Sequence, residues 1–290
     1  MVLACCMACS IAVGAQPTSY TEHIGSAEGL SNDFVIALAI DGQEHLWVAT
    51  EAGVNRIAGR VCQPLTATQL TGRITSLYWH EESDCMLIGS EQWLTVYNEK
   101  NGQMRHLNDR DGLVPSSIDD IARAADGGVW LVYGDGQIQH LDCTTLTTRT
   151  LKLNQRHANR CAFDDGQGHL YIGHSQYGMT VVNIRDGSAR NYQQQEDDPN
   201  GLPGNNVRCI YQDSNKQIWV GTDTGIARFY PEKGTFMKLT DAADGFDDNV
   251  YDILQMDDGR LWVATDIGGV KIVDNNRYDD APLRLSSLNT

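Results

Sequence analysis

One segment of this 290-residue chain returns with variation, and it limits the possible folds more than any other feature. It reads Leu46-Trp47-Val48-Ala49-Thr50-Glu51-Ala52-Gly53-Val54, then Ile218-Trp219-Val220-Gly221-Thr222-Asp223-Thr224-Gly225-Ile226. It comes back as Leu261-Trp262-Val263-Ala264-Thr265-Asp266-Ile267-Gly268-Gly269. Weaker copies centre on Leu87, Trp130 and Tyr171, so six core positions recur about 40 to 48 residues apart. A unit this small must stack on its neighbours to bury its apolar face. The period suits a blade of four short antiparallel strands and predicts an all-β propeller. Leucine-rich repeats are shorter, and helical repeats of this length need a 3.6-residue pattern that is absent.

The fifth unit shows the expected strands. Gly201-Leu202-Pro203-Gly204-Asn205-Asn206 is a turn-rich approach, and 207–212 is the first strand. Asp213-Ser214-Asn215-Lys216 turns into 218–221, Asp223-Thr224-Gly225 into 226–230, and Pro231-Glu232-Lys233-Gly234 into 235–239. By the same reading the blades lie near 28–66, 67–108, 109–152, 153–195, 200–240 and 244–290. The second and fourth are degenerate, because Leu87 and Tyr171 stand in place of Trp. Residues 19–24 read as a lone outer strand that closes a ring, and 282–288 as the outer strand of the sixth blade. Six full units leave three arrangements: an open ring, closure with six blades, or completion by a partner chain.

Trp47, Trp130, Tyr171, Trp219 and Trp262 are expected in the core between blades, since they recur at the fold period. Thr50, Thr222 and Thr265 are expected to bond within turns. The apolar run ending at Val13-Gly14-Ala15 reads as a signal peptide over residues 1–15, although no Lys or Arg precedes it. Leu3-Ala4-Cys5 faintly resembles a lipidation box. Removal of the signal leaves Cys62, Cys85, Cys143, Cys161 and Cys209, an odd and scattered set that is no disulfide framework. Cys161 and Cys209 hold equivalent positions and are expected as small buried apolar groups. No zinc spacing is present. Asp-rich turns such as Asp257-Asp258-Gly259 lack the dense oxygen spacing of a calcium loop. No metal or cofactor is expected. A formal charge of -16 argues against nucleic acid as a partner.

The units Asp/Glu-Gly-Leu-Ser-x-Asn, followed by Val-x-x-Ile-x-x-Asp-x-x-Gly-x-Leu-Trp-Val-x-Thr-x-x-Gly-Val, resemble two-component regulator propeller repeats. The best matches are residues 28–57, 200–230 and 244–273, and the resemblance covers nearly all of the chain after residue 15. It implies the periplasmic sensor region of a hybrid two-component system of gut Bacteroidetes. Such regions carry two seven-bladed propellers, then an immunoglobulin-like domain, a membrane helix, a histidine kinase, a receiver and a DNA-binding domain. They respond to oligosaccharides released from polysaccharides and switch on the matching degradation genes. The resemblance therefore implies one half of a double propeller, a second propeller and signalling domains as partners, homodimerisation, and an exported location. No kinase motif lies in this chain.

Ligands of propellers meet the loops and inner-strand ends at the channel mouth. The candidates are Arg73, Asp119, Arg160, Arg208 and Tyr251 on first strands, with Asn32, Asn206 and Asn249 just before them. Arg suits a carboxylate or sulfate, and Tyr or Asn suits a sugar hydroxyl. The plainer alternative is that the Asn residues stabilise turns and the Arg residues pair with acidic neighbours. Two other functions stay open. One is a propeller-fold polysaccharide or lactone lyase that uses His157, His169 or His174 with Tyr171 or Tyr177. The other is a protein-binding scaffold. No nucleophile elbow, phosphate loop or His-Glu-x-x-His is present.

Overall fold

The computed structural model describes residues 23–65, 70, 72–153, 156–239 and 248–274, with the backbone of 285–287. The predicted signal peptide lies outside them, as does most of the predicted strand 19–24, whose last two residues are not in a strand. The described residues form six four-stranded antiparallel sheets, each with its strands in chain order. The fold is an all-β propeller of four-stranded blades.

The chain divides into two compact units, residues 1–107 and 108–290. The first holds two blades. Blade one is β1 (Val35–Ile40), β2 (Leu46–Thr50), β3 (Gly53–Ala58) and β4 (Val61–Pro64). Blade two is β5 (Ile74–His80), β6 (Cys85–Ser90), β7 (Leu94–Asn98) and β8 (Met104–Leu107). The second unit opens with blade three: β9 (Ile118–Arg123), β10 (Val129–Tyr133), β11 (Ile138–Asp142) and β12 (Thr147–Thr150). Blade four is β13 (Asn159–Asp164), β14 (His169–His174), β15 (Met179–Asn183) and β16 (Ala189–Tyr192). Blade five is β17 (Val207–Gln212), β18 (Ile218–Thr222), β19 (Gly225–Tyr230) and β20 (Thr235–Lys238). Blade six is β21 (Val250–Gln255), β22 (Leu261–Thr265), β23 (Val270–Val273) and β24 (Leu285–Ser287). Blades two and four, degenerate in sequence, are complete sheets. No helix of the described residues is long and apolar enough to cross a membrane.

The cores lie between blades. Trp47 packs with Ile74, Met86 and Ile88 of blade two, and Trp130 with Leu170, Ile172 and Val182 of blade four. Tyr171 packs with Val207, Val220 and Phe229 of blade five, and Trp219 with Val250, Leu261 and Val263 of blade six. Trp262 belongs to the last blade of its unit and is only partly buried, unlike Trp47 and Trp219, which are fully buried. The threonines act as expected in the turns: the Thr50, Thr222 and Thr265 hydroxyls donate to the carbonyls of Gly53, Gly225 and Gly269.

Each buried core aromatic also carries a polar atom that needs a partner. In blade one the Asp41 carboxylate accepts the Gln43 and His45 N–H groups and, at 2.8 Å, the Trp47 indole N–H. In blade five Asp213 does the same for Asn215, Gln217 and Trp219. In blade four Asp165 accepts the Gln167 and His169 N–H groups and bonds the Tyr171 hydroxyl. Blade three has Ala124 in that place, and the Trp130 indole crosses to Asp164 of blade four. Blade six has Met256 there, and the buried Trp262 Nε1 has no hydrogen-bond partner. One carboxylate thus fixes a hairpin and positions a core aromatic. Trp47, Trp130, Tyr171 and Trp219 are hydrogen-bonded as well as packed.

Candidate functional site

A β-bulge recurs at the start of every first strand. The register against the second strand skips one residue, which is Ile36, Thr75, Asp119, Arg160, Arg208 or Tyr251 in blade order. Bulges re-aim side chains and occur beside active sites. The residue before each strand has a fixed duty as well. The carbonyls of Phe34, Arg73, Ser117, Ala158, Asn206 and Asn249 each accept an N–H from the turn after the second strand. The first strands and second-to-third turns of each blade therefore meet at one end of the sheet.

This register sorts the candidates. Asp119, Arg160, Arg208 and Tyr251 share the bulge position on four successive blades of the second unit. Their strands pack in order, β9 on β13, β13 on β17 and β17 on β21. Arg73 is in the first unit, exposed, and matches Asn206 and Asn249 rather than the other arginines; the bulge residue of its blade is Thr75. Sequence reading missed this because Arg73 and Arg160 precede and occupy their strands by a difference of two residues that only pairing reveals.

Within the second unit the site is unevenly satisfied. Asp119 is exposed and accepts the Ser117 hydroxyl at 2.6 Å. Arg208 lies against the Tyr251 ring, its Cζ 4.9 Å from the centroid. Its Nε is buried without a hydrogen-bond partner, as are Oδ1 of Asn206, Asn249 and Asp223. Asn32, by contrast, bonds the Phe34 N–H and so is a turn residue. The turn alternative therefore holds for Asn32, while the side-chain oxygens of Asn206 and Asn249 are left over.

Behind the bulge residues come Asp120, Cys161, Cys209 and Asp252. Desolvation by the surrounding wall pushes Asp120 up to about 6, against the pull of its bonds from the Ala162 and Ile121 N–H groups; the charges of Asp252 and Asp119 add to the rise. Desolvation raises Asp252 as well. Both thiols are buried, free and raised by desolvation, which makes them poor nucleophiles. A Cβ on Gly221 would lie 2.5 Å from Cys209 Sγ, so glycine opposite lets the sulfur pack as an apolar group.

The three histidines of blade four do not form one cluster, because His169 lies apart from His157 and His174. His169 pairs with Asp165 at 3.0 Å at the first hairpin. His157, His174 and Tyr177 gather at the other end, with His157 stacked on Tyr177 at 3.3 Å between centroids. Both His174 ring nitrogens are engaged, by Asn159 at 3.0 Å and Thr180 at 2.7 Å. Desolvation, with the His157 charge, holds His174 down at about 4. A neutral imidazole held at both nitrogens has no free lone pair for a substrate.

In the first unit, ligand atoms of Asp41, His45 and Glu99 lie within 4.8 Å of one another. Arg56 already supplies positive charge there. It bonds Glu99, lies 2.8 Å from His45 Nδ1 and 3.5 Å from Asp41. The cluster reads as an ion-pair network joining blades one and two. Asp257-Asp258-Gly259 is likewise a turn, its Asp258 paired with Arg260 at 2.6 Å.

The family model described as two component regulator propeller matches residues 201–224, the approach, first strand and Trp219 segment of blade five. Those residues therefore resemble one two component regulator propeller repeat. A similar solved structure is an extracellular domain assigned to a hybrid two component system of B. thetaiotaomicron, with a TM-score of 0.77 and 24% identity. The likeness covers 93% of this chain and 37% of that one, so this chain spans well under half of that structure. Virginiamycin B lyase from Staphylococcus aureus is similar at a TM-score of 0.66 and 10% identity, over 89% of this chain and 85% of that one. The WD40 propeller domain of Doa1 is similar at 0.62 and 17%, over 83% and 78%. At these identities the likenesses establish the propeller fold. No curated protein matches the chain in sequence.

Proposed function

We propose that this regulator propeller is the ligand-sensing region of an exported hybrid two-component sensor that responds to oligosaccharides. The reading is carried by the repeat match over residues 201–224. The extracellular domain of a hybrid system with the same fold supports it. Buried polar atoms of Asn206, Asn249 and Arg208, on or just before the first strands of the second unit, have no partners, which adds support. A sugar supplies hydroxyls for such groups. In this reading the chain faces the periplasm. Signalling domains and a second propeller complete the receptor, and ligand biases the arrangement of a homodimer. The chain itself performs no chemistry, consistent with the doubly bonded His174 and the separated His169.

Thermal melting of the chain against a panel of defined oligosaccharides tests the reading. A saturable, ligand-specific rise in melting temperature is expected, because binding to the folded state alone stabilises it. Turnover of any panel member, abolished by changing His174, would replace the sensor with the lyase. The absence of any shift, here and in a longer receptor carrying both propellers, would sink the oligosaccharide reading.

A further inference from the structure

We infer that Arg208, Tyr251 and Arg160 form a subsite for the anionic group, carboxylate or sulfate, of an acidic oligosaccharide. The inference rests on the sensor reading and narrows its ligand class. Some cations of this acidic chain are paired: Arg56, Lys100 and Arg260 meet Glu99, Asp84 and Asp258. Among the described residues Arg160 and Arg208 have no such partner. They hold the same bulge position on β13 and β17, which pack on each other.

Arg208 is oriented from one side. The Tyr251 ring holds the guanidinium by its face at 4.9 Å, which leaves its N–H edges for an acceptor. Its Nε has already lost water without gaining a partner. A carboxylate or sulfate accepts two parallel N–H bonds from a guanidinium, which a neutral hydroxyl cannot do. The amide oxygens of Asn206 and Asn249, two residues before Arg208 and Tyr251 in the chain, are buried without partners and could accept only from a donor that reaches them.

Calorimetric titration of the whole chain with tetragalacturonate, a sulfated chondroitin tetrasaccharide and cellotetraose tests the subsite. One acidic probe should bind and cellotetraose should not, and which acidic probe binds identifies the anion as carboxylate or sulfate. Its affinity should fall with added salt. Arg208→Gln should weaken it by about tenfold or more, with Arg208→Lys intermediate, because a lysine keeps charge but not the fork. Arg160→Gln at its exposed position should weaken it by about threefold, as for a charge at the rim. If Arg208→Gln fails to fold, Arg160→Gln and the salt dependence of the unaltered chain decide. Acidic binding unchanged in both glutamine variants would overturn the subsite. Binding of cellotetraose that ignores Arg208→Gln would overturn it too, while leaving the sensor reading in place. Binding of no probe would overturn the subsite, and the wider panel would then judge the sensor reading separately.

Discussion

Blades five and six are built on nearly the same sequence, Ile-Trp-Val-Gly-Thr and Leu-Trp-Val-Ala-Thr, with the same register between first and second strands and the same first hairpin. They differ in how the tryptophan is held. In blade five Asp213 is buried and bonds two backbone N–H groups and the Trp219 indole. In blade six Met256 occupies that place and the Trp262 indole is left without an acceptor. The backbone of the hairpin barely notices. Met256 N–H bonds the Arg260 carbonyl at 2.9 Å, and Asp213 N–H bonds the Gln217 carbonyl at 3.0 Å. Hairpin shape and aromatic anchoring are therefore separable, and the carboxylate supplies the second. Asp41 and Asp165 anchor Trp47 and Tyr171 in the same way and Asp164 of the next blade serves Trp130, so among these rings Trp262 is the one whose polar atom lacks a partner.

The largest test of this contrast is removal of the carboxylate. Asp213→Ala strands the buried Trp219 N–H and two turn N–H groups, and should lower stability by about 3 kcal/mol. Met256→Ala at the matching place strands nothing new and should cost under about 1 kcal/mol. Denaturant unfolding measures both; equal losses would remove the carboxylate from its anchoring role. The next effect exchanges the indoles. Trp219→Phe leaves the buried Asp213 with one donor fewer, whereas Trp262→Phe discards a donor that had no partner. The first should cost about 1 to 2 kcal/mol more than the second. The reverse order would mean that packing alone sets the value of these rings.

A second carboxylate contrast carries a pH signature. Burial works to raise Asp41, but the Trp47 indole and the His45 and Gln43 N–H groups hold it below the usual range. Desolvation pushes Asp120 up to about 6 in spite of its two N–H donors, and the Asp252 and Asp119 charges add to the rise. A raised carboxyl favours folding when protonated. Its contribution is fully present below the unfolded value of 3.8 and is lost as pH rises through about 6. Asp120→Asn loses one of those two N–H bonds at any pH, but its stability relative to the unaltered chain should improve by about 1 to 2 kcal/mol between about pH 3.5 and pH 7.5. Unfolding measured across that range checks the sign; a gain that grows on acidification would contradict it.

The repeat made the fold legible. A Trp at a fixed period, followed by Thr and a Gly turn, encodes two strands and a hairpin locally, so strands such as 35–40 and 207–212 could be placed from sequence. Blades two and four were harder to read because Leu87 and Tyr171 replace the Trp, yet both are complete. Tyr171 keeps the Asp165 bond, and in blade two the His80 ring accepts the Ser83 N–H at the corresponding hairpin. The polar residue types at the site could be named in advance, but their grouping could not. A bulge shifts pairing by one residue and leaves no mark in composition, so Arg73 could be grouped with Arg160 until register separated them. Pairing across blades is equally silent in sequence. Asp164 serves Trp130 from 34 positions away, and Arg208 meets Tyr251 on the next blade.

The smallest effect asks whether blade six can be converted to the blade-five arrangement. Met256→Asp would place a carboxylate where the hairpin backbone already matches. Two features limit the gain. Asp258 already accepts the Arg260 N–H at 3.0 Å, the bond corresponding to the one Gln217 gives Asp213. Asp257 and Asp258 also repel a third charge. Only the indole bond is new, and the expected gain is about 0.5 kcal/mol. Exchange of the Trp262 indole proton gives the sharper reading, since a bonded N–H should exchange more slowly than in the unaltered chain. Slower exchange with little change in stability would mean that the anchor forms and that neighbouring charge offsets it. Unchanged exchange would mean that the partly exposed Trp262 does not reach the new carboxylate. Blade five would then owe its anchor to the tight cover that keeps Trp219 fully buried, as much as to Asp213.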